Sequence, residues 1–516
     1  MLGGLLVAAG ACNGLLDVKN SNNPETDRVL SSPSDVEALI RNSYVQGMNP
    51  LLMSDGINLQ LGAVAFEHSP MAANFGMIER SALPRTAINN TIADQFSGDY
   101  YEVWRESYTA IRSASDGLGR LAIQGFTLGS PAADARGKAF AYFVLGYAHA
   151  NLAITYDKAS IYDETVPADK VQPLVDHKEV MAAALGYFDK AIQLAQANST
   201  ISFPSDWLGE TASASRFIQI ANSYKARYRA QDARTPAERK AVDWAKVIAD
   251  AKAGVTTDYA PIDDDSRFDF WMQDYMSFQG AWNQMPYNIL GMADTLGNYQ
   301  AWMATPVGSR NPITIASPDK RFPQGQTLAE QRAAPGKIYR AKSAGGEGGW
   351  VRAERGTWRW SNYVDERFLK YYEANNTGLS IPVITKTEMD LLQAEGLINT
   401  GQPAAALPLI NATRVAAGLP AATVDGAPGG SACVPKLPSG ACGNLLETLK
   451  WEKRLSMFNT VYGGWYFDSR GWGDLAEGTF LSYPVPAKEL EVRQEALYTF
   501  GGVGQPGSAP KGTYGY

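Results

Sequence analysis

The chain has 516 residues, 45% of them hydrophobic and 19% charged, with a formal net charge of −7. That balance excludes wholesale disorder, and the acidic excess excludes a basic surface for nucleic acid. Aromatic residues make up 11%, including 12 Trp and 25 Tyr, and such rings stack on sugars, fill peptide grooves or fill cores. The length suits a few domains of about 150 residues each, or one large helical body with insertions.

No apolar run reaches the roughly 18 residues that a membrane-spanning helix needs. The first residues, MLGGLLVAAGACNGLLDV, are apolar from Leu2 to Ala11 and then reach Cys12 through small residues. This resembles the end of a signal peptide with a lipoprotein cleavage box, with Ala9 where such a box usually has Leu. The expected Lys or Arg ahead of the apolar stretch is missing, so residues 1–12 read as a truncated signal peptide and Cys12 as the lipid anchor. Residues 13–33 follow as a tether, polar and Pro-containing from Asn20 to Pro24. The body is expected from residue 34 to residue 516.

Ser34 and Glu37 have capping-box spacing and predict a helix through about Gly47. From Asn49 to Asn90 no period is sustained, which predicts a long ordered excursion. Helices are expected over Gln95 to Gln124 and over Pro131 to Tyr156. In the second, Ser130 caps, Pro131 takes the first position, and Phe140, Val144, Tyr147 and Ile154 share a face. Asp176 and Glu179 open the next, with a stripe of Val180, Ala184, Tyr187, Ala191 and Leu194. Ser213 to Asp232 and Thr235 to Gly254 complete the early set, over about residues 95–254. The late set, about residues 385–475, starts with a helix capped by Thr385 and ended by Gly401, followed at once by Gln402 to Gly418. Helices arriving in pairs resemble tetratricopeptide units. The fold class is mainly α.

Between the two sets, residues 256–384 form an insertion of different texture. From Phe268 to Met303 there are nine aromatics in 36 residues. A long irregular aromatic segment inside a helical body is where ligand contacts are expected, and Trp271, Trp282, Tyr299, Trp302 and Trp358 are the candidates. Each single ring also has the plainer role of holding a loop onto the scaffold. Asp263, Asp264 and Asp265 could ligate calcium but lack the spacing of a known loop, so they read as a solvated turn.

Leu445 to Asp474 reads as a buried helix running into an aromatic turn. Trp451, Leu455, Phe458 and Tyr462 fall at i, i+4, i+7 and i+11, on one face. Glu452 and Arg454 flank it, and a charge near a core needs a partner. With Cys12 carrying lipid, Cys433 and Cys442 remain as a pair closing a small Pro/Gly loop, a disulfide that an exported compartment allows. Zinc is the alternative, but it needs four ligands and His68, His149 and His177 are scattered.

Several motifs carry a family resemblance. Glu452, Arg454 and Leu455, then Trp465, Phe467, Asp468 and Arg470, fit a Glu-Arg-rich last helix ending in an aromatic-Asp-Leu-x-Arg turn. A second Glu and a second Arg usual there have no counterpart in Ser456 to Gly464. Ala394, Glu395, Gly401, Ile410, Asn411, Arg414, Gly418 and Leu419 fit a second pattern, with Ala416 where another Arg is frequent. Leu16, Asp17 and Val18 fit an amino-terminal run, and Tyr483, Pro484, Val485, Pro486, Glu489 and Leu490 a carboxyl-terminal one. The chain therefore resembles the SusD/RagB family, lipoproteins that hand glycans or peptides to a SusC-type, TonB-dependent outer-membrane barrel. The resemblance implies a lipid-anchored protein on the cell surface, an oligosaccharide or, in second place, a peptide as ligand, and a SusC-like barrel as partner. The insertion would face the ligand and the helical pairs the barrel.

No catalytic constellation is present: no Gly-x-Ser-x-Gly elbow, no His-Glu-x-x-His, no Walker loop and no Gly-x-Gly-x-x-Gly. His149 sits mid-helix among Ala residues and reads as a packed side chain. Neither an enzyme nor a cofactor or resident metal is expected. Two rivals remain: a tetratricopeptide scaffold that binds only proteins, and a glycoside hydrolase, which needs only two carboxylates at the right separation.

Overall fold

The computed structural model describes residues 30–52, 56–70, 75–263, 267–268, 283–342, 357–359, 361–374 and 378–516. The principal helices are α1 (Pro33–Met48), α2 (Ile57–Val64), α3 (Ser97–Ala122), α4 (Pro131–Thr155), α5 (His177–Ala197), α6 (Ala214–Gln231) and α7 (Trp244–Lys252). Later come α8 (Asn298–Ala304), α9 (Lys386–Asn399), α10 (Pro403–Ala416), α11 (Leu445–Ser456), α12 (Gly464–Trp472) and α13 (Ala487–Arg493). Among the described residues there are also four antiparallel two-stranded ribbons: β1 (Ser69–Pro70) with β6 (Asn283–Gln284), β2 (Lys158–Ala159) with β3 (Val175–Asp176), β4 (Ser202–Phe203) with β5 (Ala212–Ser213), and β7 (Tyr339–Ala341) with β8 (Tyr363–Asp365). The expected mainly α, tetratricopeptide-like architecture is present.

Local chemistry sets the helix starts. The side chains of Ser130, Asp176, Ser213 and Thr385 accept backbone N–H groups in the first turn of α4, α5, α6 and α9. In α1 the cap is Ser32 instead of the expected Ser34, because Pro33 takes the first helical position and Ser32 accepts from the Asp35 N–H. The single helix expected over Thr235 to Gly254 is two, Pro236–Lys240 and α7. Asp243 divides them by capping α7, its carboxylate accepting from the Lys246 N–H at 3.1 Å. The stretch after α11 is also more regular than expected: the aromatic turn is α12, bounded by Gly463 and Gly473 in the left-handed region.

Helix α4 is the pillar of the early set. It is buried almost all round and packs against α1, α3, α5 and α6, the pattern of a helix inside a large core. Small residues permit the close crossings; on α3 a Cβ added to Gly117 would lie 2.3 Å from Ile40 of α1. Rings fill the wider spaces. Phe203 stacks on Phe217 with centroids 4.4 Å apart, and Tyr44 meets Tyr147 edge-on at 5.1 Å.

The carboxyl-terminal hub joins this bundle to the insertion. Trp451, Leu455, Phe458 and Tyr462 are all buried, although Tyr462 lies beyond the end of α11. Phe322 stacks on Trp451 at 5.9 Å, Tyr339 meets Phe458 at 5.0 Å, and the Tyr462 hydroxyl lies 2.9 Å from Thr155 of α4. Cys433 and Cys442 form the expected disulfide, with Cα atoms 5.2 Å apart. Asp263 corrects an expectation: it is buried, not solvated, and its carboxylate accepts from the Tyr371 hydroxyl. Asp264 and Asp265 lie outside the described residues, as does Cys12.

Candidate ligand-binding site

The insertion is organised by its ribbons. In β1 and β6, Ser69 pairs with Gln284 and Pro70 with Asn283, so the amino-terminal excursion is tied to the aromatic segment across more than two hundred residues. β6 in turn lies on β8: the Met285 N–H donates to the Tyr363 carbonyl at 3.0 Å, and the Ser361 N–H donates to the Gln284 side chain at 3.0 Å. Through β7 and β8 the same platform holds Tyr339–Ala341. Three stretches of chain distant in sequence thus meet at one place.

Three of the five candidate rings lie among the described residues, and each is packed into the scaffold. Tyr299 is fully buried on α8, and its hydroxyl donates to the Asn288 carbonyl at 2.5 Å. It packs against Gly291, where an added Cβ would lie 2.0 Å from the Tyr299 ring. Trp302 is 3% exposed, stacks on Tyr299 at 6.2 Å and meets Tyr287 edge-on at 5.5 Å. The Arg310 guanidinium covers it at 4.4 Å, while its indole N–H is buried without a hydrogen-bond partner among the described residues. Trp358 is 7% exposed under Arg359, 4.4 Å above its ring. Trp271 and Trp282 lie outside the described residues. The structure therefore brings Tyr299 and Trp302 together as one stack, with a phenol locked to backbone.

Residues that sequence reasoning passed over hold the platform. The His68 Nδ1–H donates to the Asn283 side-chain oxygen at 3.2 Å. Burial lowers the His68 pKa to about 4, so the ring is neutral and serves as a post, not a base. Arg85 donates to the Val64 carbonyl at 2.9 Å and to Thr479 at 3.1 Å. Burial, and then the nearby Arg359 charge, lower its pKa to about 9. Arg359 donates to the Ser81 hydroxyl at 3.2 Å. His68 and Arg85 sit in the aperiodic stretch between α1 and α3, which gave no signal beyond their residue types.

His149 follows its expectation: it is buried, its Nδ1–H donates to the Leu145 carbonyl at 2.7 Å, and its Nε2 accepts from the Tyr162 N–H at 3.2 Å. Burial lowers its pKa to about 4. Among the described residues no cluster of three or more His, Cys, Asp or Glu could hold a metal ion. No helix of the described residues is long and apolar enough to cross a membrane.

No protein-family model matches the sequence, and no curated protein does. Solved structures do. A SusD superfamily protein from Parabacteroides distasonis is 12% identical, with 89% of this chain and 97% of that chain covered at a TM-score of 0.57. This chain has the SusD/RagB fold. A SusD homolog from Parabacteroides distasonis is 15% identical, with 84% of each chain covered and a TM-score of 0.54. Surface glycan-binding protein A from Bacteroides uniformis is 13% identical, with 86% of this chain and 89% of that chain covered and a TM-score of 0.51. The SusD-like fold here consists of the α1–α7 and α9–α12 helical body with the ribbon-held insertion between them, and the motif residues Glu452, Arg454, Asp468 and Arg470 lie in its buried centre.

Proposed function

We propose that this protein is a surface-exposed, lipid-anchored glycan-binding protein of the outer membrane that passes an oligosaccharide to a SusC-like, TonB-dependent barrel. The observation that carries the reading is the SusD-like fold along most of the chain, shared with a surface glycan-binding protein. Two further features agree with it. The amino-terminal sequence has a lipobox-like Cys12, and a lipid chain together with a barrel contact gives the two attachments that stable anchoring requires. The insertion between the helical sets is dense in aromatic residues, nine of them from Phe268 to Met303, the side chains that stack on sugar rings.

Ligand contact is assigned to the aromatic stretch that carries Trp271 and Trp282, which precedes Tyr299 and Trp302 in the sequence. Titration calorimetry of the soluble protein against a polysaccharide panel tests the reading. Saturable binding is expected, weakened roughly 2- to 12-fold by Trp271→Ala or Trp282→Ala, the loss of one ring contact. Binding of proteins alone supports a tetratricopeptide scaffold instead. Turnover of a glycan, abolished by changing one Asp or Glu, supports a hydrolase.

A further inference from the structure

A second concave surface lies along α3. Tyr101, Trp104, Tyr108, Arg112 and Ser115 are spaced so that they share one face of that helix. With Tyr162 and Asp163 from the loop after α4 and Glu489 and Arg493 from α13, they enclose a cleft of about 520 Å³. A polar extension of about 300 Å³ shares Arg112, Ser115 and Asp163 and adds Glu164. Volumes of this order are those of small-molecule sites.

The walls are built in advance. Trp104 forms the floor at 2% exposure, with Tyr108 against it at 5.0 Å and Tyr162 against Tyr108 at 5.9 Å. The Tyr108 hydroxyl donates to the Ser160 carbonyl at 3.1 Å and accepts from the Ser160 N–H at 2.7 Å. Arg493 donates to the Gln172 carbonyl at 2.9 Å and to the Ser160 hydroxyl at 3.0 Å, which ties α13 to the loop. Such fixed rings bind without an ordering cost.

The arginines of the cleft are already paired. Arg105 pairs with Glu106 at 2.7 Å, Arg112 donates to Asp116 at 2.8 Å, and Arg493 pairs with Glu489 at 2.6 Å. The Asp163 carboxylate accepts from the Thr165 N–H at 2.9 Å and the Thr165 hydroxyl at 2.6 Å. Burial alone would raise the Asp163 pKa, and the bonds from Thr165 and Tyr187 instead hold it below the usual range. An anionic ligand would have to break one of the arginine pairs. A neutral one would not.

Two polar atoms are left over. The Ser115 hydroxyl and one Glu164 oxygen are buried without a hydrogen-bond partner among the described residues, and Ser115 is 5% exposed. The other Glu164 oxygen accepts from the Tyr142 hydroxyl at 2.7 Å. Half-buried rings beside an unused hydroxyl and an unused carboxylate oxygen match a flat apolar face edged with hydroxyl groups. We infer that the cleft between α3, the 160–172 loop and α13 is a second carbohydrate subsite, taking neutral pyranose units. This rests on the glycan-binding reading above and adds a site to it.

The test is calorimetry and ligand-observed NMR with neutral malto-, cello-, xylo- and manno-hexaose. Four proteins are compared: the unaltered chain, Trp271→Ala/Trp282→Ala, and that double variant carrying Thr109→Trp or Ser115→Ala. Thr109 is half-exposed and lines the cleft, so a Trp there fills the space without entering the core. The double variant is expected to keep saturable binding of at least one hexaose, with Thr109→Trp removing it and Ser115→Ala weakening it roughly 2- to 12-fold. Unchanged melting of the variants confirms that the effect is local. Binding indifferent to Thr109→Trp, or lost already in the double variant, overturns the subsite and leaves the glycan-binding reading standing. A cleft that takes an uncharged peptide in place of sugar overturns it too. No hexaose or polysaccharide bound by the unaltered chain overturns both.

Discussion

Around α4 the buried contacts are ring on ring, with Phe143 within 5.3 Å of Phe217, 5.4 Å of Tyr44 and 5.6 Å of Phe188. Around α11 and α12, where rings also meet, buried ion pairs are added. Arg321 pairs with Asp319 and Glu452 at 2.7 Å each, Arg239 with Glu395 at 2.7 Å and Asp468 at 3.0 Å, Lys453 with Asp468 at 2.9 Å, and Arg454 with Asp474 at 2.6 Å. All of these charged side chains are buried. Ring packing is non-directional and is satisfied by any snug arrangement, whereas a buried charge is stable only against its own partners. The early bundle therefore supplies bulk stability, and the late one fixes which segments meet: α9, α11, α12 and the insertion converge on a single set of pairings.

The largest expected loss breaks the ring side of this contrast. Phe143→Ala leaves a cavity among five aromatic neighbours and should cost about 4 kcal/mol in urea unfolding, with the slope unchanged. A cost below about 1 kcal/mol would mean that the rings do not form one packed unit.

Next is the ion side. Glu395 takes Arg239, Lys453 and the Trp472 indole N–H, so Glu395→Gln leaves buried cations short of a counter-charge and should cost about 3 kcal/mol at pH 7. Burial pushes the Glu395 pKa up, but Arg239 and Lys453 outweigh it and lower it to about 2. A depressed carboxylate contributes stability that is fully present above its unfolded pKa of about 4.5 and is lost as pH falls toward 2. The gap between the unaltered chain and Glu395→Gln should thus close on acidification from pH 5 to pH 2. The gap for Phe143→Ala should stay constant. If both gaps close alike, the late ion pairs are not the acid-labile element.

How much of this was legible from sequence follows the range of each interaction. Phe140, Val144 and Tyr147 declared their face through a helical period, and Ser130 and Asp176 declared their helix starts within three residues. Glu452 and Arg454 declared only that they needed partners. The Glu452 partner, Arg321, lies 131 positions away in the insertion, a pairing that no local pattern encodes. The density of rings from Phe268 to Met303 located the insertion but not which rings face outward, because an irregular segment has no period to sort them. Tyr299 and Trp302 consequently carried the same signal as a surface ring would. The α3 cleft was hidden for another reason: Tyr108, Tyr162 and Arg493 come from three separate segments and converge only in the fold.

Glu67 sharpens the comparison from the other direction, because it is a buried acid without the ion pairs of the late bundle. It follows α2 and accepts the Asn459 N–H at 2.9 Å, and no Lys or Arg among the described residues forms an ion pair with it. Burial raises its pKa to about 8, against a smaller lowering by the Asn459 bond. The sign is opposite to that of Glu395. Between about pH 4.5 and 8 the folded chain holds this proton and the unfolded chain has released it, so the contribution of Glu67 to stability falls as pH rises, by at most about 1.4 kcal/mol per pH unit. Glu67→Gln removes the titrating group and keeps the acceptor for Asn459. The variant should gain on the unaltered chain as pH rises from 5 to 8 and hold a constant lead above that, read from melting temperatures in matched buffers. A difference that does not change with pH would mean that Glu67 is ionised in the folded chain, and that a carboxylate can be buried here without the ion pairs on which the hub is built.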